Sequence, residues 1–324
     1  MRNLKIPTFI IFILSIIFIT GCQKDTIVDP GTITEDDYLK QQAISAEEVA
    51  GYIQNEEVSI EDEYEKDMNY DEFGILKTTD PITPIKWARK IDRVVKTLLV
   101  EQINDTIKVV TIVKDISGRF IIKAIKDSNG ITDTVRIIKP YTSTITRKVR
   151  FLKINNNNDF KKNWKPIAIT LVEGKTNTKN FIISTLEVMT SVDTATITDP
   201  LTYWVRFAPG RGGVSLVKPG DAFIIRVTVT SENPQAEYAC LRTGLDSGFK
   251  RHRARFQMDL VSESESNGIY TRVYQKVFAA RLPMGISFGH MNAIVDVMSY
   301  NSINDDSAPY MNSFWGMPYL VKRF

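Results

Sequence analysis

The chain has few of the side chains that carry most enzyme chemistry. It contains two histidines, His252 and His290, and two cysteines, Cys22 and Cys240, in 324 residues. Zinc sites and Ser/His or Cys/His mechanisms need a positioned histidine with partners, and neither histidine has a ligand-type residue at a recognisable metal spacing. The sequence therefore favours a protein that is not an enzyme, and it assigns no catalytic residue, metal or cofactor.

The apolar segment near the start of the chain is too short to cross a membrane as a helix. The apolar run over residues 9–19 has about 11 residues, whereas a bilayer core needs ~20. Arg2 and Lys5 precede this run, and Thr20-Gly21 closes it before Cys22. A basic start, a short apolar core and a small-residue end predict a secretory signal over residues 1–21.

The end of that signal, Ile19-Thr20-Gly21-Cys22, resembles the lipobox of bacterial lipoproteins. The resemblance implies a lipidated Cys22, attachment to the membrane through this N-terminal lipid, and a place in the cell envelope at the outer membrane. Two acyl chains already give stable anchoring. Gln23-Lys24-Asp25 resembles the signal that sends some Gram-negative lipoproteins to the cell surface, so either side of the outer membrane stays open.

A lipidated Cys22 leaves Cys240 without a disulfide partner, so packed cores have to stabilise the fold. Tyr238-Ala239-Cys240-Leu241 has the pattern of a strand. We interpret Cys240 as a small buried hydrophobic residue within it.

Charge divides the chain sharply near Pro84. Residues 22–84 contain 17 acidic and 4 basic residues, whereas residues 85–324 contain 21 acidic and 35 basic residues. The acidic part is predicted to be a tether that carries a short helix, part of which packs on the first domain.

Two helix signals lie in this tether. Thr34 before Glu35-Asp36-Asp37 favours a helix start, and Ser45-Ala46-Glu47-Glu48 has the spacing of a capping box. The second signal predicts an apolar stripe formed by Val49, Ala50 and Ile53.

Strand patterns begin after Pro84 and predict a first domain over residues 85–195. Residues 87–100 and 106–113 flank the turn pair Asn104-Asp105, which predicts a hairpin with long arms. Gly118 is predicted to open a further strand over residues 119–125.

The order of these elements resembles the NTF2-like (cystatin-type) α+β fold over about residues 46–189. The resemblance rests on the long strand with Trp87, on Gly118-Arg119-Phe120, on Lys139-Pro140-Tyr141 before Thr146-Arg147-Lys148, and on the strand with Trp164. It implies a curved antiparallel sheet around a helix, with a cone-shaped pocket, and it carries over no functional residue. A plain β-barrel or sandwich remains the alternative.

Short strands separated by turns predict a second domain over residues 196–324. Apolar residues alternate at Phe223, Ile225, Val227 and Val229, and again at Met291, Ala293, Val295 and Val297. Each set is predicted to line an inner face of a β-sandwich. The domain resembles Ig-like modules without their paired cysteines, and the predicted fold class is mainly β, or α+β.

Two further stretches have weak catalytic or metal-binding patterns. Gly285-Ile286-Ser287-Phe288-Gly289 matches the nucleophile-elbow spacing, but residues 291–298 alternate as a strand and no histidine follows His290. We interpret it as a glycine-rich strand connection. The polar run with Asn304, Asp305 and Asp306 could hold Ca²⁺ or form a turn before the last strand.

The densest basic stretch lies between residues 250 and 255. Its candidate polyanion-binding residues are Lys250, Arg251, Arg253 and Arg255. An exported lipoprotein meets little nucleic acid, so nucleic acid is not predicted as the partner. The alternative is a solvated loop or an edge strand protected by charge.

Two functions follow from these observations. The favoured one is a non-catalytic, lipid-anchored binding or scaffold module of the cell envelope, with a surface glycan or an envelope protein as partner. The alternative is a carboxylate-dependent hydrolase that acts on glycans in an NTF2-like cone.

Overall fold

The computed structural model describes most of the chain from residue 33 onward. Thr34–Phe324 forms one compact unit, built mainly of β-strands. No helix in this described part is long and apolar enough to span a membrane. The described residues are 33–49, 82–128, 131–177, 180–190, 194–207, 216–245, 253–280, 282 and 287–323.

Three long antiparallel strands form one end of the first sheet. They are β1 (Thr83–Asn104), β2 (Ile107–Ser128) and β3 (Ile131–Lys153). The side-chain oxygen of Asn104 accepts hydrogen bonds from the N–H and the hydroxyl of Thr106 at 2.9 and 3.0 Å, which closes the turn between β1 and β2. The predicted hairpin is confirmed. The predicted start of a new strand after Gly118 is wrong, because β2 runs through Gly118 with unbroken pairing to β3.

The other elements are shorter. The strands are β4 (Trp164–Thr170), β5 (Val172–Thr176), β6 (Phe181–Met189), β7 (Thr194–Ile197), β8 (Trp204–Arg206), β9 (Leu216–Val217), β10 (Ala222–Ser231), β11 (Tyr238–Leu245), β12 (Arg253–Gln257), β13 (Asp259–Ser266), β14 (Ile269–Ala279), β15 (Phe288–Met298) and β16 (Asn312–Lys322). The helices are α1 (Glu35–Val49), a 3-10 turn (Phe160–Lys162) and α2 (Tyr300–Asn304).

These strands form two sheets. The first has the order β1-β2-β3-β5-β16-β15-β11-β12, with β4 between β3 and β8, and with β9 parallel to β16. The second has the order β13-β14-β10-β6-β7. Nearly all pairs are antiparallel, and the mainly β fold class is confirmed.

The two sheets face each other across the main core. On β10, Phe223, Ile225, Val227 and Val229 are all fully buried in it. The facing sheet contributes Ala293, Val295 and Val297 of β15 to the same core. Both alternations therefore line inner faces at these seven positions, as the sequence predicts.

Strands from both sides of residue 195 occur in each sheet. β6 pairs with β10 in the second sheet, and β5 pairs with β16 in the first. Residues from before and after residue 195 also share the main core. In the described residues the predicted boundary between residues 195 and 196 therefore does not separate two cores, because the sheets are completed by strands from both parts.

Helix α1 begins at the cap formed by Thr34. The Thr34 hydroxyl accepts a hydrogen bond from the N–H of Asp37 at 3.1 Å and donates one to the Asp37 carboxylate at 2.6 Å. The helix start predicted at Thr34 is confirmed. The helix start predicted at Ser45 is wrong, because Ser45 lies inside the same helix, and Ala50 and Ile53 lie outside the described residues.

Helix α1 belongs to the folded unit. Leu39, Ala43 and Ala46 are buried in the main core. Glu47 forms a buried ion pair with Lys114 of β2 at 3.0 Å and lies 3.6 Å from Arg147 of β3. Residues 35–49 of the predicted tether therefore pack on the strands, as the sequence analysis allowed.

The back of the first sheet is covered by its own long strands. Trp87 and Phe120 pack in a second core with Tyr238, Cys240 and Met298. The rings of Trp87 and Tyr238 are 5.7 Å apart although β1 and β11 are six positions apart in the sheet order, so the sheet curls over itself. Cys240 is fully buried in β11, as predicted.

Candidate anion-binding site

A buried carboxylate lies where the long strands cover the back of the first sheet. Asp296 of β15 has no exposed surface. A terminal guanidinium nitrogen of Arg89 in β1 donates to its Oδ2 atom at 2.6 Å, and Nε of Arg242 in β11 lies 3.3 Å from the same oxygen. The side-chain amide of Asn312 donates to Oδ1 at 3.3 Å. We name Arg89, Arg242 and Asp296 the arginine–aspartate centre.

The charge and the exposure of this centre suit an anion. Its three side chains together carry one positive charge. Arg89 and Arg242 keep 15% and 16% of their side-chain surface exposed, whereas the Nε atoms of both are buried and Asp296 has no exposed surface. Guanidinium groups bind carboxylate, sulfate and phosphate through paired hydrogen bonds.

Two tyrosines adjoin the centre. The Arg89 guanidinium carbon lies 5.4 Å from the centre of the Tyr310 ring, and the rings of Tyr310 and Tyr141 are 5.0 Å apart. Burial raises the pKa of both phenols, so both hydroxyls stay protonated at neutral pH. The Tyr310 hydroxyl is buried and has no hydrogen-bond partner within the described residues. This hydroxyl therefore has a hydrogen bond left to donate, and its ring lies beside Arg89.

Two glycines position the aromatic rings at this centre. Gly118 lies opposite Tyr141 in the register, and a Cβ atom on Gly118 would lie 2.8 Å from the Tyr141 hydroxyl oxygen. Gly174 lies opposite Phe314, and a Cβ atom there would overlap the Phe314 ring. Each glycine lets a ring lie flat across the neighbouring strand. The Arg242 guanidinium carbon then lies 5.9 Å from the centre of the Phe314 ring.

Half of the predicted basic stretch lies next to this centre. Arg253 and Arg255 lie on β12, the edge strand of the first sheet, and Arg255 is opposite Arg242 in the register. Lys250 and Arg251 lie outside the described residues, as does the predicted lipidation site Cys22.

A second buried arginine differs from Arg89 and Arg242 because two carboxylates pair with it. Arg272 of β14 donates to Glu237 at 2.9 Å and to the carbonyl of Pro234 at 2.8 Å, and it also pairs with Glu263. The hydroxyl of Tyr274 donates to Glu237 at 2.9 Å. Here one guanidinium meets two carboxylates, so this network stabilises the fold and has no surplus positive charge to offer a ligand.

The polar stretch before β16 contains a lysine ammonium group. Nζ of Lys139 donates to the carbonyl oxygens of Ser302, at 2.8 Å, and of Asp305. The Asp305 carboxylate accepts from the N–H of Ser307 at 2.8 Å and closes a turn, so the predicted polar turn is confirmed at residues 305–307, whereas residues 301–304 belong to α2. Desolvation lowers the pKa of Lys139 to about 8, although Asp305 and Asp306 oppose this shift. Within the described residues no three metal-ligating side chains cluster.

The glycine-rich stretch near Ser287 leads into a strand. Ser287 directly precedes β15, and a nucleophile elbow would require a helix there. The interpretation as a strand connection agrees with this placement. Residues 283–286 lie outside the described part of the chain.

No sequence pattern had indicated Arg89, Arg242, Asp296 or Tyr310 as site residues. One signal was present: in β16, residues 314–321 form an uninterrupted buried apolar run, which is typical of a strand covered on both faces. Its neighbour β15 then buries Asp296, and a buried carboxylate needs cationic partners. The identity of those partners depends on the curl of the sheet.

No protein-family model and no curated protein sequence matches this chain. The lipoprotein, NTF2-like and Ig-like assignments therefore stay predictions from resemblance. The ligand class proposed below therefore rests on the chemistry of the arginine–aspartate centre.

Proposed function

We propose that the protein is a non-catalytic binding module of the cell envelope, anchored by lipid at Cys22, that binds anionic groups of a surface glycan at the arginine–aspartate centre. One observation carries the ligand class. Two arginines with partly exposed side chains converge on one buried carboxylate, and Arg89 lies beside the ring of Tyr310, whose buried hydroxyl has no hydrogen-bond partner within the described residues. The place in the envelope rests on the lipobox resemblance.

A polymer suits this site better than a single anion. Residues two apart on a strand lie about 7 Å apart, so Arg253 and Arg255 continue the row of arginine positions along the edge of the sheet. When one anionic group of a glycan binds Arg89 and Arg242, the next anionic groups of the same glycan would lie beside β12. An acidic envelope protein is the other partner class that this charge fits.

The hydrolase alternative has less support. Glycoside hydrolases use two carboxyl groups about 5–9.5 Å apart, one as an acid and one as a base or nucleophile. The centre as described has one carboxylate, Asp296, and both guanidiniums contact it. No observation at this site favours hydrolysis.

Binding should depend on Arg242. We expect Arg242→Gln to weaken the binding of an acidic or sulfated oligosaccharide about tenfold or more, because a hydrogen bond to a charged group is worth about 1.5–3 kcal/mol. The measurement is calorimetric titration of the full-length protein in neutral detergent, with uncharged oligosaccharides as reference ligands.

The matched control for this titration is Arg226→Gln. Arg226 lies on β10 of the second sheet, away from the arginine–aspartate centre. Its guanidinium donates hydrogen bonds to Glu187 and Gln275 of the same sheet. Equal binding by Arg242→Gln and by the unsubstituted protein would contradict the proposed site. Release of shorter oligosaccharides during the titration would instead support the hydrolase.

Lipidation should depend on Cys22. We expect Cys22→Ser to leave a full-length precursor and to abolish incorporation of labelled fatty acid, since the lipobox cysteine is the residue that is acylated. The control is Cys240→Ala, which changes the buried cysteine and should keep the label. Label retained by Cys22→Ser would refute the anchor.

A further inference from the structure

The outer face of the three long strands is striped. The register sets Lys86, Lys123 and Arg136 directly opposite each other on β1, β2 and β3. The next row on the same face is Ala88, Ile121 and Ile138. We name the rows from Ile125 to Arg119 the striped face. It lies on the opposite side of these strands from Arg89 and Trp87.

The basic row is unfavourable for the isolated protein. Side chains directly opposite each other have Cβ atoms about 5 Å apart, and like charges at that distance repel. In the part of the chain that the structure describes, no carboxylate pairs with Lys86, Lys123 or Arg136. The carboxylate of Asp92 on this face is engaged by Arg119, with two hydrogen bonds of 2.8 and 2.9 Å.

Apolar side chains flank the basic row on both sides. Ile125 lies beyond it with 36% of its surface exposed, and Ile138 lies on the other side with 47% exposed. The basic row therefore lies between Ile125 on one side and the row of Ala88, Ile121 and Ile138 on the other, and these flanking rows are about 14 Å apart along the strands. A face with cations between exposed isoleucines fits a surface that offers both negative charge and an apolar layer.

We infer that the striped face docks on the surface of an anionic lipid bilayer. The headgroup phosphates would neutralise the basic row, and the isoleucines would enter the interfacial layer. Each cation near such a surface contributes about a fivefold gain in partitioning. A soluble glycan would leave the isoleucines in water, and two copies of this face would repel each other.

Lysine acetylation of the full-length protein tests this docking. The protein is mixed with vesicles of phosphatidylcholine alone or of phosphatidylcholine with about one third phosphatidylglycerol, and the rate of acetylation is followed by mass spectrometry. On anionic vesicles Lys123 should react several-fold more slowly than on neutral ones. Lys162, which is 71% exposed and lies outside the striped face, should react equally on both.

A double variant separates docking from general adsorption. With Lys123→Gln and Arg136→Gln together, Lys86 should lose its protection on anionic vesicles. The control pair is Lys162→Gln with Lys165→Gln, which should keep it. The striped-face variant should also unfold at a higher urea concentration, because it removes repulsion, and this checks that it is folded.

Three results would overturn the inference. One is equal acetylation of Lys123 on both kinds of vesicle. Another is protection of Lys123 by a soluble sulfated polysaccharide without vesicles, and the third is protection by an acidic peptide without vesicles. The comparison of the two vesicle types holds whether or not Cys22 carries lipid, so it is independent of the anchor.

Discussion

Replacing Glu47 by Gln should release helix α1 from the sheet and lower the free energy of unfolding by about 3–5 kcal/mol. Glu47 is the carboxylate that Lys114 and Arg147 share, and all three side chains are at most 2% exposed. Without the charge on Glu47, Lys114 and Arg147 would lose the carboxylate that both contact while both cations stay buried. Leu39, Ala43 and Ala46 would lose their place in the main core when the helix leaves.

Urea unfolding followed by tryptophan fluorescence measures this effect. The matched control is Asp36→Asn on the same helix, because Asp36 pairs with Lys108 at 3.0 Å but is 53% exposed. An exposed pair contributes less than about 1 kcal/mol, so the control should stay close to the unsubstituted protein. A loss below 1 kcal/mol for Glu47→Gln would show that the ion pair does not hold the helix.

The contacts of helix α1 with the strands decide how many N-terminal residues can be removed before the fold is lost. A chain that begins at Gly31 keeps α1 and should fold, whereas a chain that begins at Ile85 loses it and should expose the main core. Binding of a hydrophobic dye compares the two directly. Equal folding of both chains would place α1 outside the cooperative unit.

Replacing Asp296 by Asn should lower the free energy of unfolding by about 3–5 kcal/mol, as much as replacing Glu47 by Gln. Asp296 is fully buried between Arg89 and Arg242, so the substitution removes the one carboxylate that both guanidiniums contact. The two guanidiniums would repel each other in the second core. Tyr310 lies against Arg89 and Phe314 against Arg242, and both rings would shift.

Added anions should stabilise the Asp296→Asn variant. A sulfate or acidic oligosaccharide that enters the centre would take the place of the lost carboxylate, so the urea midpoint of Asp296→Asn should rise more on its addition than that of the unsubstituted protein. The control is Asp115→Asn, an exposed carboxylate that accepts a hydrogen bond from Thr144 at 2.9 Å. An Asp296→Asn midpoint that does not respond to any anion would argue that the centre only stabilises the fold.

Local patterns predicted much of the fold. The turn at Asn104, the cap at Thr34 and the alternation in β10 depend on neighbours within a few positions, so the sequence displays them directly. The pairing of β6 with β10 and the shared core are not local: they depend on which apolar strands meet after the chain collapses. The boundary predicted at residue 195 followed from the order of strands along the sequence, whereas β6 pairs with β10 and β5 pairs with β16 across it.

The candidate site was predictable only in part. Arg253 and Arg255 were found because they are close together in the sequence. Arg89 and Asp296 are 207 positions apart, and only the curl of the first sheet brings them to 2.6 Å. The same curl brings Trp87 and Tyr238 together in the second core, and no spacing in the sequence displays it.

Hydrogen–deuterium exchange of the full-length protein tests most directly whether the arginine–aspartate centre binds the ligand. Exchange is compared with and without a saturating anionic oligosaccharide. We expect slower exchange in β11 and in β12, which is the last strand of the first sheet among the described residues, and no change in β6 and β10 of the second sheet. Saturated binding that leaves β11 and β12 unchanged would contradict the proposed site.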